Sequence, residues 1–235
     1  MKFAPEGIPF FMAALILTIV VYWFTRHWIT GLPVIILFFM FFFFRDPDRV
    51  TPSQADVIIA PADGKVIVIK QTFEKDYLKR DVQQFSIFMS PLNVHVNRAP
   101  FDGAVVSVKH TSGSFHKAYL DEASSNNENI AMVMATPMGD ILLRQVAGSV
   151  ARRAVCRVNP GDVLKKGQRF GIIKFSSRVD LYLPLEAQIT AQVGDKLKAG
   201  ETVIGRWSAA ADPTKDNQGQ PSIQAPGQIP QRTPS

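Results

Sequence analysis

The 235-residue chain has a single cysteine, Cys156, which excludes an internal disulfide and a cysteine-built zinc site. One free thiol fits a reducing compartment. No cluster of histidines and carboxylates has ligand spacing, so no metal is implied. Gly-x-Ser-x-Gly is absent, which argues against a serine hydrolase. Basic residues outnumber acidic ones, 26 to 20, for a net charge of +6. They are scattered, however, and the RNP, finger and zipper patterns of nucleic-acid binders are missing. Attraction to an anionic membrane surface is the better reading of that charge, and no nucleic-acid partner is expected.

Long apolar runs are present at the N-terminus. Residues 7–24 (GIPFFMAALILTIVVYWF) and 28–44 (WITGLPVIILFFMFFFF) carry no formal charge and are separated by Thr25-Arg26-His27. At about 1.5 Å per residue, each is only just long enough to cross a ~30 Å hydrocarbon core. Tyr22, Trp23 and Trp28 flank the break as an interfacial belt would. The pattern predicts a membrane helical hairpin over residues 1–44, spanning or monotopic, with the rest of the chain on the side of Met1. Lys2, Arg45 and Arg49 on that side against Arg26 on the other favour the cytoplasmic face of the cell membrane. No small-x-small cleavage site follows the first run, so a signal peptide is disfavoured.

Composition changes at Arg45-Asp46-Pro47-Asp48-Arg49, where a polar, proline-containing boundary opens a second domain, residues 45–207. Here VIIA, KVIVIK, FSIFM, AVVSVKH, IAMVMA, ILLRQVA and AQIT read as short strands bounded by Pro, Asp, Asn and Gly. One helical segment is expected near Phe115 to Ala123. The fold class is mainly β (α+β): an antiparallel β sandwich after the membrane hairpin. Gly161-Asp162-Val163-Leu164-Lys165-Lys166-Gly167 is echoed by Gly194-Asp195-Lys196-Leu197-Lys198-Ala199-Gly200, followed by Gly171 and Gly205. Such turns recur in lipoyl-like hairpins, with Gly-Asp opening the turn and the later glycine expected at positive φ. Ser208 to Ser235, rich in Pro, Gln, Ser and Ala, reads as a disordered tail.

The most informative stretch is Phe170 to Pro184, FGIIKFSSRVDLYLP, where Ser176 and Ser177 interrupt an apolar, β-prone run. A serine there can attack the carbonyl before it, turning an amide into an ester that then eliminates. Other segments accompany it: Phe43-Phe44-Arg45-Asp46-Pro47, Ala60-Pro61-Ala62-Asp63-Gly64, Phe88 to Pro100 with His95, and Gly148-Ser149-Val150-Ala151-Arg152-Arg153. In this order they resemble the phosphatidylserine decarboxylases, in the short branch that includes archaeal-type enzymes.

The resemblance implies a membrane-bound carboxy-lyase that cuts itself between Ser176 and Ser177 and carries a pyruvoyl group derived from Ser177. It would convert phosphatidylserine to phosphatidylethanolamine and CO2, with the two self-cleaved chains staying associated and a homo-oligomer compatible. Catalytic roles carry over to Ser177, His95 and Asp63, the histidine moving the proton and the aspartate orienting or charging it. Arg152 and Arg153 are candidates for the substrate phosphate. The chain departs from the family pattern twice: Ser176 stands where glycine is usual, and Arg98 stands where the larger bacterial branch has a second histidine. Gly148-Ser149 lacks the Arg-Val-Asp context and is expected to stay uncut. His27 is placed in the membrane loop, and His110 and His116 near the surface. Competing readings are an unprocessed phospholipid-binding relative and a lipoyl-like membrane adaptor; the latter calls for a long heptad hairpin that is not present.

Overall fold

The computed structural model describes residues 2–25, 28–113, 127–148, 153–175 and 177–207. The helix expected near Phe115, His27, His116, Ser149, Arg152, Ser176 and the tail from Ser208 lie outside the described residues.

The apolar N-terminal runs form the predicted hairpin. Strand β1 (Lys2–Phe3) leads into α1 (Ile8–Thr25), α2 (Gly31–Phe43) and β2 (Arg45–Asp46). β1 pairs antiparallel with β2, so the hairpin leaves and returns on one side. Pro5–Thr25 is long and apolar enough to cross a bilayer, while Trp28–Phe43 is a shorter return. Trp23, Phe24 and Trp28 are 72%, 82% and 88% exposed at the far tip, as residues facing lipid and headgroups would be. At the near end Ala4, Phe43 and Phe44 are buried against Val94, Val96 and Ile172 of the second domain. Gly7 permits this junction, since a β-carbon there would fall 2.7 Å from the Phe44 ring. Glu6 accepts hydrogen bonds from the Arg157 guanidinium at 2.9 and 2.6 Å, pinning the start of α1. The chain is membrane-anchored. Its β domain lies on the side of Lys2, Arg45 and Arg49, which the positive-inside rule makes cytoplasmic.

The strands of that domain are, in chain order, β3 (Val57–Ile59), β4 (Gly64–Glu74), β5 (Arg80–Met89), β6 (Val96–Arg98), β7 (Gly103–Thr111), β8 (Asn129–Thr136), β9 (Gly139–Ala147) and β10 (Ala154–Cys156). They continue with β11 (Val163–Leu164), β12 (Arg169–Ile173), β13 (Ser177–Leu183), β14 (Ala187–Ile189), β15 (Lys196–Leu197) and β16 (Val203–Trp207). A curled eight-stranded sheet runs β11-β7-β8-β9-β13-β5-β4-β15, with three-stranded sheets β10-β12-β6 and β14-β16-β3 against it. Every pairing among the described residues is antiparallel. The main core collects Val66, Phe85, Ile87, Met89, Leu143, Val179 and Leu181 from the large sheet with Phe170 and Ile204 from the small ones.

The glycine-aspartate echo is part of a larger internal duplication. Asp162 accepts from the Asn159 amide and Asp195 from the Gln192 amide, both at 2.8 Å. β11 pairs with β7 as β15 pairs with β4, and the sheet β10-β12-β6 repeats the order β14-β16-β3. Ala-Pro-x-Asp-Gly also occurs twice, at 60–64 and 99–103. Asp63 accepts from the Ala199 amide and Asp102 from the Lys166 amide, both at 2.7 Å. The expected positive φ falls elsewhere than on Gly171 and Gly205. It lies at Gly161, Gly167, Gly194 and Gly200. Gly171 and Gly205 sit at strand register shifts, where a β-carbon would come within 2.3 Å of the Val155 carbonyl and 2.6 Å of the Gln188 carbonyl. Their need is close backbone approach.

Candidate active site

Ser177 opens β13, a central strand paired on both sides: Ser177 lies opposite Met89 of β5 and Ala147 of β9. Because side chains alternate along a strand, Ser177 turns towards Met89 and Ala147 in the core while Arg178 turns the other way. Ser177 is fully buried, and among the described residues its hydroxyl meets only the Met89 thioether, Oγ to Sδ 3.5 Å. A thioether is a weak acceptor, so the hydroxyl is not committed to a strong partner. Asn97 reaches the same sulfur at 3.8 Å and accepts from Gln145 at 2.8 Å.

His95 precedes β6 and is also fully buried. The preceding turn holds it: Asn93 Oδ1 accepts from the Ser90 amide and hydroxyl at 2.9 and 2.8 Å, and the Asn93 carbonyl lies 3.0 Å from His95 Nδ1. A carbonyl only accepts, so Nδ1 carries the proton and the lone pair is on Nε2. Nε2 is buried, with no hydrogen-bond partner among the described residues. Burial, with a smaller push from the Arg45 charge, lowers the His95 pKa to about 4; the Asn93 and Phe175 backbones oppose the shift. The imidazole is therefore neutral at physiological pH and able to take a proton.

Asp63, in the β3–β4 turn, accepts from Arg49 Nη2 at 2.9 and 3.1 Å as well as from the Ala199 amide. Burial pushes its pKa up, and the Ala199 amide and the Arg49 guanidinium pull it down. Arg49 also meets Glu201 at 3.3 Å. Asp63 and His95 thus have separate partners, and no hydrogen bond among the described residues joins them. The equivalent Asp102 makes the same amide contact, with no ion pair among the described residues, so Asp63 has a turn-holding task beside any chemical one.

A family model described as phosphatidylserine decarboxylase matches residues 36–205. A protein from Syntrophus aciditrophicus named phosphatidylserine decarboxylase proenzyme is 44% identical over 206 residues, covering 87% of this chain and 97% of its own. Proteins of the same name from Desulfotalea psychrophila and Magnetococcus marinus are 43% and 46% identical, covering 86% and 70% of this chain and 95% and 76% of their own. The chain belongs to the phosphatidylserine decarboxylase family. It is accordingly an enzyme, a carboxy-lyase.

Within that family the two departures have a structural setting here. Arg98 is turned towards the anchor linker. Its guanidinium donates to the Gly167 and Pro47 carbonyls at 3.0 and 2.9 Å and meets Asp46 at 3.3 Å. Arg169 joins Asp46 and Asp48 at 2.6 and 3.1 Å, so the position fastens the linker. Ser176 is outside the described residues, but Phe175 beside it has a positive φ of 66°. Arg153 lines a cavity of about 460 Å³ with His110, Glu128 and Cys156, apart from His95 and Ser177. A groove of about 370 Å³ between Lys65 and Lys196 also reaches Ser90 and Asn93. Sequence reasoning missed Phe43, Phe175, Met89, Asn97 and Gln145. Of these, only Gln145 lies outside the segments that carry the resemblance; the others stood in them without being recognised as neighbours of His95 or Ser177.

Proposed function

We propose that the chain cuts itself between Ser176 and Ser177, forms a pyruvoyl group at residue 177, and decarboxylates phosphatidylserine to phosphatidylethanolamine and CO2 at the membrane. The observation that carries this is a buried serine hydroxyl with only a thioether as acceptor among the described residues, opening a central strand, beside a segment that packs with a neutral histidine whose Nε2 has no hydrogen-bond partner among those residues. His95 is assigned the proton of Ser177 Oγ as that oxygen adds to the carbonyl carbon of residue 176. The amide C–N bond breaks, its nitrogen takes the proton, and an ester remains. Loss of the Ser177 α-proton with the C–O bond pair releases the carboxylate of Ser176; water then replaces nitrogen, lost as ammonia. The keto amide supplies an electron sink for the pair left when CO2 departs. His95 returns a proton to the substrate carbon, and Asp63, through Arg49, holds the charge balance around it.

The smaller chain would stay in place after cleavage. β13 is flanked by β5 and β9, β15 pairs with β4, and β16 with β3, all partners in the larger chain. Asp63 holds Ala199, and Arg49 holds Glu201, across the same divide. All these groups come from one chain, so the reading requires no homo-oligomer. We assign residues 1–44 as the anchor and 45–207 as the decarboxylase domain, read its paired Gly-Asp hairpins as lipoyl-like, and place the chain in the short, archaeal-type branch. Arg152 and Arg153 are proposed for the substrate phosphate. Intact-mass spectrometry of the purified protein tests the reading. Two chains, Met1–Ser176 and a smaller one blocked at residue 177, are expected; one full-length mass would leave an unprocessed lipid-binding relative.

A further inference from the structure

The base of the membrane hairpin touches the processing segment directly. Phe43, the fully buried last residue of α2, has its ring 4.2 Å from the His95 ring. The same ring stacks on Phe175 at 4.8 Å with 29° between planes. Phe10 of α1 meets Phe175 edge-on at 6.1 Å. Among the described residues only Phe175 and Lys79 have a positive φ without being glycine, and Lys79 sits in the β4–β5 turn. For a residue with a β-carbon that conformer is disfavoured by roughly 5- to 30-fold, and it persists only where neighbours hold it. At Phe175 the neighbouring rings belong to the anchor.

We infer that Phe43 is a positioning residue for self-cleavage: seated at the base of the anchor, it pins Phe175, two residues before Ser177, in its left-handed conformation. The inference rests on the self-cleavage reading above. It makes processing depend on the docked anchor, so a proenzyme whose hairpin is unseated remains whole. Ordinary core packing would make Phe43 matter for stability alone, and the two roles separate experimentally.

The full chain is synthesised in the presence of phospholipid vesicles, and the cut fraction is followed by gel and intact mass beside thermal stability. F43A is expected to cut about ten-fold more slowly than wild type. In F43A/F175G, glycine takes the left-handed turn without a β-carbon. Cutting should then return to within about three-fold of wild type while the lowered Tm of F43A persists. A merely structural role predicts that rate and Tm stay lowered together, and that result overturns the inference. If F43A does not fold, F43L and F175G replace it. F43L, which keeps bulk but not the flat stack, should cut slowly, and F175G at least as fast as wild type; F43L cutting at the wild-type rate overturns the inference. A wild-type chain that stays whole contradicts the self-cleavage reading itself. Equal rates in wild type and F43A overturn only the role of Phe43.

Discussion

Ser177→Ala leaves a single uncut chain of 26.1 kDa with decarboxylation at the uncatalysed background. The loss is complete because one oxygen performs both tasks: it is the nucleophile of the cut and the source of the keto group. The fold should be unaffected. The hydroxyl's contact is a thioether at 3.5 Å, so its removal forfeits little and leaves no strong donor or acceptor unpaired. Thermal unfolding is expected within about 1 kcal/mol of the wild-type proenzyme. Cleavage should not migrate to Ser149, which lacks the Ser177 context. Two chains from the alanine variant would place the nucleophile elsewhere.

Asp180→Ala is the substitution expected to cost most in stability. Arg178 and Asp180 lie two residues apart on β13, both fully buried, with Arg178 Nε 2.5 Å from the carboxylate. Arg178 also donates to Ser86 Oγ at 2.9 Å. Removing the carboxylate takes the opposite charge away from a fully buried guanidinium, leaving it neutral partners such as Ser86, at a cost of about 3–5 kcal/mol. For a chain of this size that lowers Tm by roughly 6–20 °C. Replacing both partners, as in R178M/D180L, should recover most of the loss, because no charge is then left buried. Thermal melts of the uncut S177A background give a single chain to compare. A change below 1 kcal/mol in D180A would mean that other polar groups satisfy Arg178. Since the pair follows Ser177 on the same strand, the softened strand should also process more slowly.

Local chemistry was legible in the sequence where one residue type admits few settings. The charge-free runs and their aromatic break give the hairpin, and Gly161-Asp162 and Gly194-Asp195 form the matched turns expected. What stayed hidden depends on contacts far apart in the chain. The Ala-Pro-x-Asp-Gly pair at 60–64 and 99–103 is readable, yet only the fold shows it meeting the second echo through Asp63 to Ala199 and Asp102 to Lys166. Turn chemistry suggested positive φ at Gly171 and Gly205; strand crowding from Val155 and Gln188 is the constraint instead. Asp63 pairs with Arg49, within a segment that sequence reading treats only as the boundary opening the second domain. Phe43 stands in a quoted segment at the end of a phenylalanine-rich run, but nothing in that segment shows that its ring meets His95.

The most direct test of a self-made carbonyl at residue 177 is reductive capture. The purified protein is incubated with phosphatidylserine vesicles and a hydride reductant, and the mass of each chain is then measured. The account predicts a gain on the chain that begins at residue 177, equal to the captured amine, with loss of activity in step and no gain on Met1–Ser176. No gain on either chain, with activity surviving the reductant, would contradict it.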